Sequence, residues 1–396
     1  MDYDVVVIGA GPAGSLTSKY AARGGAKVLM IEKRQEIGSP VRCGEGITHH
    51  FLEGCDIPLD RRWMALQVSG AKIVSPDGHV FKIDERHAGN EVGVVVERDI
   101  FDKTLAKHAA QAGADIWVKA TATGLLREDG KVTGVRVERL GEKLDINAKV
   151  VVGADGYESQ VGRWAGIKTV LKTDDVTGCL QYRLTNIQPD EDFSHYCEFY
   201  LGSGAPGGYV WVFPKDECTA NVGIGLSLDR LKDRAELKKY LDRWIAKDPR
   251  MKKAQYLDMV TGAVSTCAPI DETVRPGIAL VGDAARMIDP ITGGGIANAC
   301  RAGKVLGETL GEASQSGDWS LEQLKKYEKG WRALLEEGLY RNWMAKNKLM
   351  TLTDEDFDQI IGTLAEVGLE KLSVHRILQV IKEKHPRLVD KFVDLI

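Results

Sequence analysis

The apolar run Val5-Val6-Val7-Ile8 passes directly into Gly9-Ala10-Gly11-Pro12-Ala13-Gly14, and few folds accommodate that junction. Four β-branched residues with no polar break have the length of a parallel strand buried on both faces. The glycine loop leads into Ser15–Arg23, which reads as a helix and stops at Gly24-Gly25. Lys27–Ile31 is a second strand, closed by Glu32. Strand, loop, helix, strand and acid in this order predict a doubly wound, dinucleotide-binding unit. Gly9 makes the tight turn, Gly11 lets the backbone approach a pyrophosphate, and Gly14 lets the helix lie close to the strand. The helix start offers unpaired N–H groups and roughly half a positive charge to that anion. Glu32 suits the adenosine ribose hydroxyls and counts against a 2′-phosphate, where two anions would meet. The loop alone does not decide between FAD and NAD.

At 396 residues the chain calls for two or three structural units. With 53 basic against 57 acidic residues the net charge is −4, so nothing favours a nucleic-acid partner. No apolar run reaches the roughly 18–20 residues of a membrane span, and the N-terminus lacks the pattern of a signal peptide. Seven dispersed cysteines without a CxxC pair predict reduced thiols, a cytoplasmic setting and no metal site.

Two later segments resemble those of the aromatic-hydroxylase-like flavoproteins. Val151-Val152-Gly153-Ala154-Asp155-Gly156-Tyr157 is similar to their "DG" motif, and Ile278–Ala285, with Gly282-Asp283, to their "GD" motif. Ahead of both, Val95-Val96-Glu97-Arg98-Asp99 opens a helix, as does the family's arginine near the pyrophosphate. The resemblance implies non-covalent FAD, with Asp283 on the ribityl chain. It also implies cofactor contacts at Ala13, Lys33, Arg98, Ala122, Asp155 and Gly282. Downstream, Asp289-Pro290-Ile291-Thr292-Gly293-Gly294-Gly295-Ile296 precedes a helix expected over 297–313. Gly294, Gly295 and Ile296 form a nest of N–H groups suited to the flavin pyrimidine edge.

Residues 66–96 and 175–227 alternate apolar and polar in short runs, the pattern of an antiparallel sheet. The fold class expected is α/β (α+β overall): a Rossmann-type FAD domain with an inserted antiparallel-sheet substrate domain and a helical C-terminus. The FAD domain is expected in three pieces, 1–65, 98–170 and 262–318, the substrate domain at 66–97 and 171–261, and the helical unit at 319–396. There Trp331, Leu335, Leu339 and Trp343 share one face.

Tyr209-Val210-Trp211-Val212-Phe213-Pro214 sets three aromatics on one face of a strand, and Gly223-Ile224-Gly225 follows. Read alone, this is a sheet face packed on a core. With the loop Pro40-Val41-Arg42-Cys43-Gly44-Glu45-Gly46, however, it resembles the geranylgeranyl reductases. That resemblance spans roughly residues 1–350 and implies a reductase that saturates isolated double bonds of geranylgeranyl chains on glycerophospholipid precursors. It implies a substrate site at Tyr209, Trp211 and Phe213, and places Arg42, Cys43, Gly44 and Gly46 beside the flavin. A polyprenyl chain offers only methyl groups and alkenes, so an apolar, aromatic-lined site fits it.

Reduction of an unactivated alkene needs a hydride and a proton. Cys43 is the candidate catalytic residue, either as proton donor or as a group that fixes the substrate; the alternative is a small loop residue beside FAD. Glu45 is expected to be a solvated loop carboxylate. One dinucleotide fingerprint leaves the electron donor as transiently docked NAD(P)H or a ferredoxin-like redox partner protein. The lipid substrate suggests peripheral contact at the cytoplasmic face of the membrane. Two rival readings share the FAD motifs: an aromatic-ring monooxygenase, and a flavin electron-transfer protein.

Overall fold

Val5, Val6 and Val7 are wholly shielded from solvent because β1 (Asp2–Ile8) is an inner strand of an eight-stranded sheet. The computed structural model describes residues 2–84, 93–233, 235–367, 379–380 and 384–385. In it β1 runs parallel to β2 (Val28–Ile31) and to the end of β11 (Glu142–Gly153), with Val7 beside both Met30 and Val152. Outward from β11 come β18 (Ile278–Leu280) and β17 (Val274–Arg275), and outward from β2 comes β8 (Asp115–Trp117). The first half of β11 pairs antiparallel with β10 (Lys131–Arg139), which pairs with β9 (Ala120–Glu128).

The helix Pro12–Arg23 begins three residues before its expected start, because Pro12 suits a first helical position and needs no N–H partner. Against it lies the long helix Ile296–Ser316. Gly303, Gly307 and Gly311, four apart, form its contact line: added methyls would stand 2.6 Å from the Ala13 carbonyl oxygen, 2.6 Å from Tyr20 Cβ and 3.0 Å from Gly24 Cα. Bare backbone along that line brings the two helices together and fixes the glycine loop from behind.

A second, seven-stranded sheet has the order β16 (Gln255–Ser265), β12 (Val176–Thr185), β15 (Ala220–Ser227), β14 (Tyr209–Pro214), β13 (Tyr196–Tyr200), β5 (Gly70–Val74), β6 (Val80–Asp84). Only β13 and β5 pair in parallel. The helix Ala235–Lys247 covers one face, burying Leu237, Leu241 and Ile245 in a cluster with Leu180, Tyr182, Val222 and Ile224.

Three expectations about boundaries change. Residues 66–97 do not form one sheet with 171–261. β4 (Met64–Val68) and β7 (Gly93–Val96) join β3 (Gly46–Thr48) in a separate three-stranded sheet, and 85–92 lie outside the described residues. The alternating pattern is the same in both sheets, so it does not say which partner a strand takes. β16 continues to Ser265, past the expected break at 261/262. The helices after Leu321 have no separate core over 321–339. Leu324, Tyr327, Trp331, Leu335 and Leu339 belong to the core cluster of β1, while Trp343 is half-buried. Tyr327 donates to the Leu280 carbonyl at 2.6 Å and Trp331 Nε1 to Thr273 Oγ1 at 2.9 Å, fastening this helix to the first sheet. Most of the expected helical stretch beyond 367 lies outside the described residues.

Candidate active site

The parallel strands end level with one another: Ile8 stands beside Ile31 and Gly153, and Gly153 beside Leu280. Gly9, Glu32, Ala154-Asp155 and Gly282-Asp283 therefore leave the sheet at one carboxyl edge, where α/β sheets bind ligands. A methyl on Gly9 would lie 2.2 Å from the Ala154 carbonyl oxygen, and one on Gly14 would lie 1.9 Å from that of Gly9. A methyl on Gly11 would meet nothing within 4 Å. Two glycines thus close the loop and the third opens it to a cavity lined by Ala10, Gly11, Glu32, Arg34, Arg42 and Arg98. The helix that starts at Pro12 has no side-chain cap and no acid in its first turn, so its N–H groups remain open to an anion.

Glu32 shapes this cavity by accepting from the Ala10 N–H at 3.2 Å and the Arg34 N–H at 3.0 Å. Lys33 is exposed, and its charge acts on Asp155. Ala122 sits in β9, partly buried on the main core, two residues beyond Ala120, whose N–H reaches the Glu32 carbonyl at 2.9 Å. Arg98 begins the helix Arg98–Gln111 and forks onto Asp102 one turn later, at 3.2 and 2.7 Å. Burial works to lower the Arg98 pKa, but Asp102 and Cys43 outweigh it and raise it above the ordinary guanidinium value.

Asp155 accepts the Val161 N–H at 2.9 Å through Oδ2, whereas its buried Oδ1 has no hydrogen-bond partner. Burial pushes this carboxyl upward. Asp283 is likewise raised by burial, with Arg98 acting in the opposite sense. Its Oδ1 lies 3.1 Å from where a Gly295 methyl would stand, so the bare glycine lets the carboxyl abut the start of the helix Ile296–Ser316. That start too has no side-chain cap and no acid in its first turn. Gly294 and Gly295 are held in place by Asp289, which accepts the Ile291 and Thr292 N–H groups at 2.9 Å and Asn342 Nδ2 at 2.6 Å. Two open helix starts, a cavity at the glycine loop and an unsatisfied buried carboxylate oxygen fit a bound dinucleotide.

The 42–46 loop crosses from this edge to the second sheet. Gln181 donates to the Cys43 carbonyl at 3.0 Å and accepts from Trp211 Nε1 at 2.9 Å. Cys43 Sγ accepts the Glu45 N–H at 3.2 Å, and burial pushes the nearby Cys179 thiol up to about 12. Glu45 is 1% exposed, contrary to the expectation of a solvated loop acid. Its Oε2 receives Arg183 at 2.8 Å, Lys215 at 2.7 Å and Asn221 at 2.6 Å, while Oε1 receives the Arg98 N–H at 2.8 Å. Glu97 shares both cations, at 3.0 and 3.3 Å. These partners offset the cost of a non-glycine residue at φ 74°, on the order of 1–2 kcal/mol. They lie more than fifty residues from Glu45 in sequence, and no local pattern announces them.

Tyr209, Trp211 and Phe213 do share a face, with Phe199 edge-on to both Tyr209 and Phe213 at 5.3 Å. The row lies under the loop: methyls on Gly44 and Gly46 would stand 2.8 and 3.1 Å from Phe213 Cε2. Trp211 and Phe213 are buried among Val68, Val95 and Cys197, and half-buried Tyr209 donates to the Thr292 carbonyl. Opposite Trp211 in register stands Gly223, where a methyl would fall 2.2 Å from Cζ2. The Gly-x-Gly pattern therefore makes room for the indole.

Comparison with known proteins agrees with this architecture. The FAD dependent oxidoreductase family matches residues 4–207, and the geranylgeranyl reductase catalytic domain matches residues 175–264. Fold and site thus define an FAD-dependent oxidoreductase. A digeranylgeranylglycerophospholipid reductase of Thermoplasma acidophilum is 50% identical over 100% of this chain and 99% of its own. One from Methanosarcina acetivorans is 46% identical over 98% of this chain and 94% of its own. The chain belongs to the digeranylgeranylglycerophospholipid reductase family. The crystal structure of a geranylgeranyl bacteriochlorophyll reductase-like protein from Thermoplasma acidophilum is 49% identical and superimposes with a TM-score of 0.94, covering 100% of this chain and 99% of that one. The p-nitrophenol 4-monooxygenase of Pseudomonas putida, 17% identical with a TM-score of 0.74 over 98% of both chains, shares the fold alone.

Proposed function

We propose that the protein saturates the isolated double bonds of geranylgeranyl chains on glycerophospholipid precursors, with the reaction centred where the 42–46 loop meets the aromatic row. The observation that carries this reading is the link Trp211–Gln181–Cys43, which ties an apolar, aromatic sheet face to the edge that fits FAD. Reduced FAD supplies the hydride for one alkene carbon. The chain's own residues do the rest. Gly11 and the helix start at Pro12 hold the pyrophosphate, Glu32 the ribose side, and Asp283 with the Gly294-Gly295 nest the far end. Tyr209, Trp211 and Phe213 bind and dehydrate the polyprenyl chain, about 0.8 kcal/mol for each CH₂ buried. Their ring faces also stabilise positive charge at a carbon that no carbonyl assists. Cys43 delivers the proton, held in the loop by its neighbours.

Electrons arrive from transiently docked NAD(P)H or a ferredoxin-like carrier. The test mixes anaerobic, pre-reduced enzyme with a digeranylgeranyl phospholipid in detergent. Flavin reoxidation should coincide with lipid that gains two hydrogens per double bond by mass spectrometry. Reoxidation without any change in lipid mass would sink the proposal.

A further inference from the structure

β16 is the edge strand of the second sheet, and it has two unlike halves. Its later half reaches the candidate site: a methyl on Gly262 would lie 3.6 Å from Arg42 Cβ, and Val264 Cγ2 stands 3.7 Å from the corresponding point on Gly293. Its earlier half faces water with Tyr256, Leu257 and Met259 exposed to 58%, 60% and 56%. Three large apolar residues so close together on an open edge invite either a partner or aggregation. The register argues against a strand partner. Leu184 pairs with Tyr256 and Arg183 with Asp258, so Leu257 is the extra residue of a bulge that breaks the edge.

The surrounding charge favours an anionic surface. Lys252 and Lys253, both exposed, lie three and two residues before the strand, and exposed Lys247 ends the helix that packs on the neighbouring strands β12 and β15. Between residues 235 and 260 there are seven Lys and Arg against four Asp and Glu, a balance of +3 in a chain whose net charge is −4. Apolar residues flanked by lysines are what an amphipathic element presents to the headgroup region of an anionic bilayer. No helix among the described residues is long and apolar enough to cross a membrane. Contact would therefore be made from one side.

We infer that the exposed half of β16, with Lys247, Lys252 and Lys253, is the surface by which this protein docks on an anionic lipid bilayer. The same strand then leads from the bilayer to Arg42 and Gly293. A lipid tail leaving the membrane along it reaches the site without crossing open water, which rests on the lipid-reductase reading above. Docking itself is separable from that reading, because it needs no substrate.

The test is flotation with phosphatidylcholine vesicles containing about a quarter phosphatidylglycerol, free of any prenyl lipid. The FAD-loaded protein should float, and added salt should release it. Lys252→Ala/Lys253→Ala should weaken partitioning about fivefold per charge removed, and Leu257→Asp/Met259→Asp should weaken it at least as much. Both variants should keep wild-type turnover on detergent-dispersed lipid and lose it only on vesicle-embedded lipid. Wild-type protein that stays unbound, or variants that float like wild type, would overturn the inference. So would sedimentation showing that the apolar variant merely splits a dimer. A protein that floats as expected but never reduces lipid would leave docking intact and refute the proposed function instead.

Discussion

Glu45 and Lys215 meet at 2.7 Å with 0% and 3% of their side chains exposed, one in the loop beside the glycine-loop cavity and the other at the end of a strand of the second sheet. Removing one partner of a buried ion pair strands the other charge, typically at 3–5 kcal/mol. Glu45→Gln should therefore lower unfolding stability by about that much, read as a fall in denaturant midpoint at unchanged slope. Glu45→Met combined with Lys215→Met should cost less than the two single changes added together. Strict additivity in that cycle would mean the two residues are not coupled.

This pair also marks where the sequence stops being legible. The first strand, its glycine loop, Glu32 and Asp283 could be read because each belongs to a contiguous stretch whose backbone geometry is local. Glu45 could not, because its environment is built by Arg183, Lys215 and Asn221, which only the folded sheets bring to it. Period-two alternation revealed the strands at 64–68 and 93–96 but was silent on which sheet they join. The glycines at 303, 307 and 311 carried a readable signal, since small residues four apart on a helix mark a close helix contact. These three serve packing between the helices Pro12–Arg23 and Ile296–Ser316.

The glycines of the first loop separate into two kinds. A methyl on Gly14 collides with the Gly9 carbonyl, whereas one on Gly11 enters open space. Gly14→Ala should impair folding, giving low soluble yield and an early thermal transition. Gly11→Val should fold with a Tm near that of the FAD-free wild type yet purify colourless, because its side chain occupies the pyrophosphate position. A yellow Gly11→Val protein would refute the assignment of that position.

The row under the loop gives a second separation. Trp211→Ala removes the partner of Gln181 and leaves a hole beside Gly223. Turnover of long-chain lipid should fall by at least tenfold while the FAD dissociation constant stays within about twofold. Equal losses in both would assign Trp211 to the core rather than to substrate.

Asp283 predicts a pH signature for the FAD-free protein. Burial raises its folded pKa, so the folded chain keeps a proton that the unfolded chain has already released. Such a group contributes its full stability below the unfolded value, about 4, and loses it as pH rises through the folded pKa. Asp283→Asn cannot ionise there. Without FAD, the stability of the variant relative to wild type should grow as pH climbs from about 4 and level off above the folded pKa. With FAD the order should reverse, the variant binding roughly tenfold more weakly for one lost charge-assisted hydrogen bond. Thermal melts of both forms across that pH range decide it, and parallel curves would show that Asp283 does not carry the effect.

Cys43 is the residue on which the proposed chemistry turns. Its carbonyl is held by Gln181 and its sulfur receives the Glu45 N–H, so the loop geometry does not depend on the thiol proton. The carbon that does not receive hydride needs a proton, and Cys43 is the residue proposed to give it. Cys43→Ser keeps a small hydrogen-bonding side chain and should retain FAD while slowing alkene saturation. Cys43→Ala, which has no proton to give, should slow it further, by about 10²–10⁴-fold for the loss of a general acid. Both should keep the wild-type FAD dissociation constant and melting temperature. The measurement is single-turnover reoxidation of pre-reduced enzyme by lipid under anaerobic conditions, which takes the electron donor out of the assay. In deuterated solvent the wild type should show a slowed step that Cys43→Ala lacks or shows at a different pH. If the alanine variant reoxidises at the wild-type rate, the proton comes from elsewhere, most simply from ordered water, and Cys43 is only part of the loop that closes over the aromatic row.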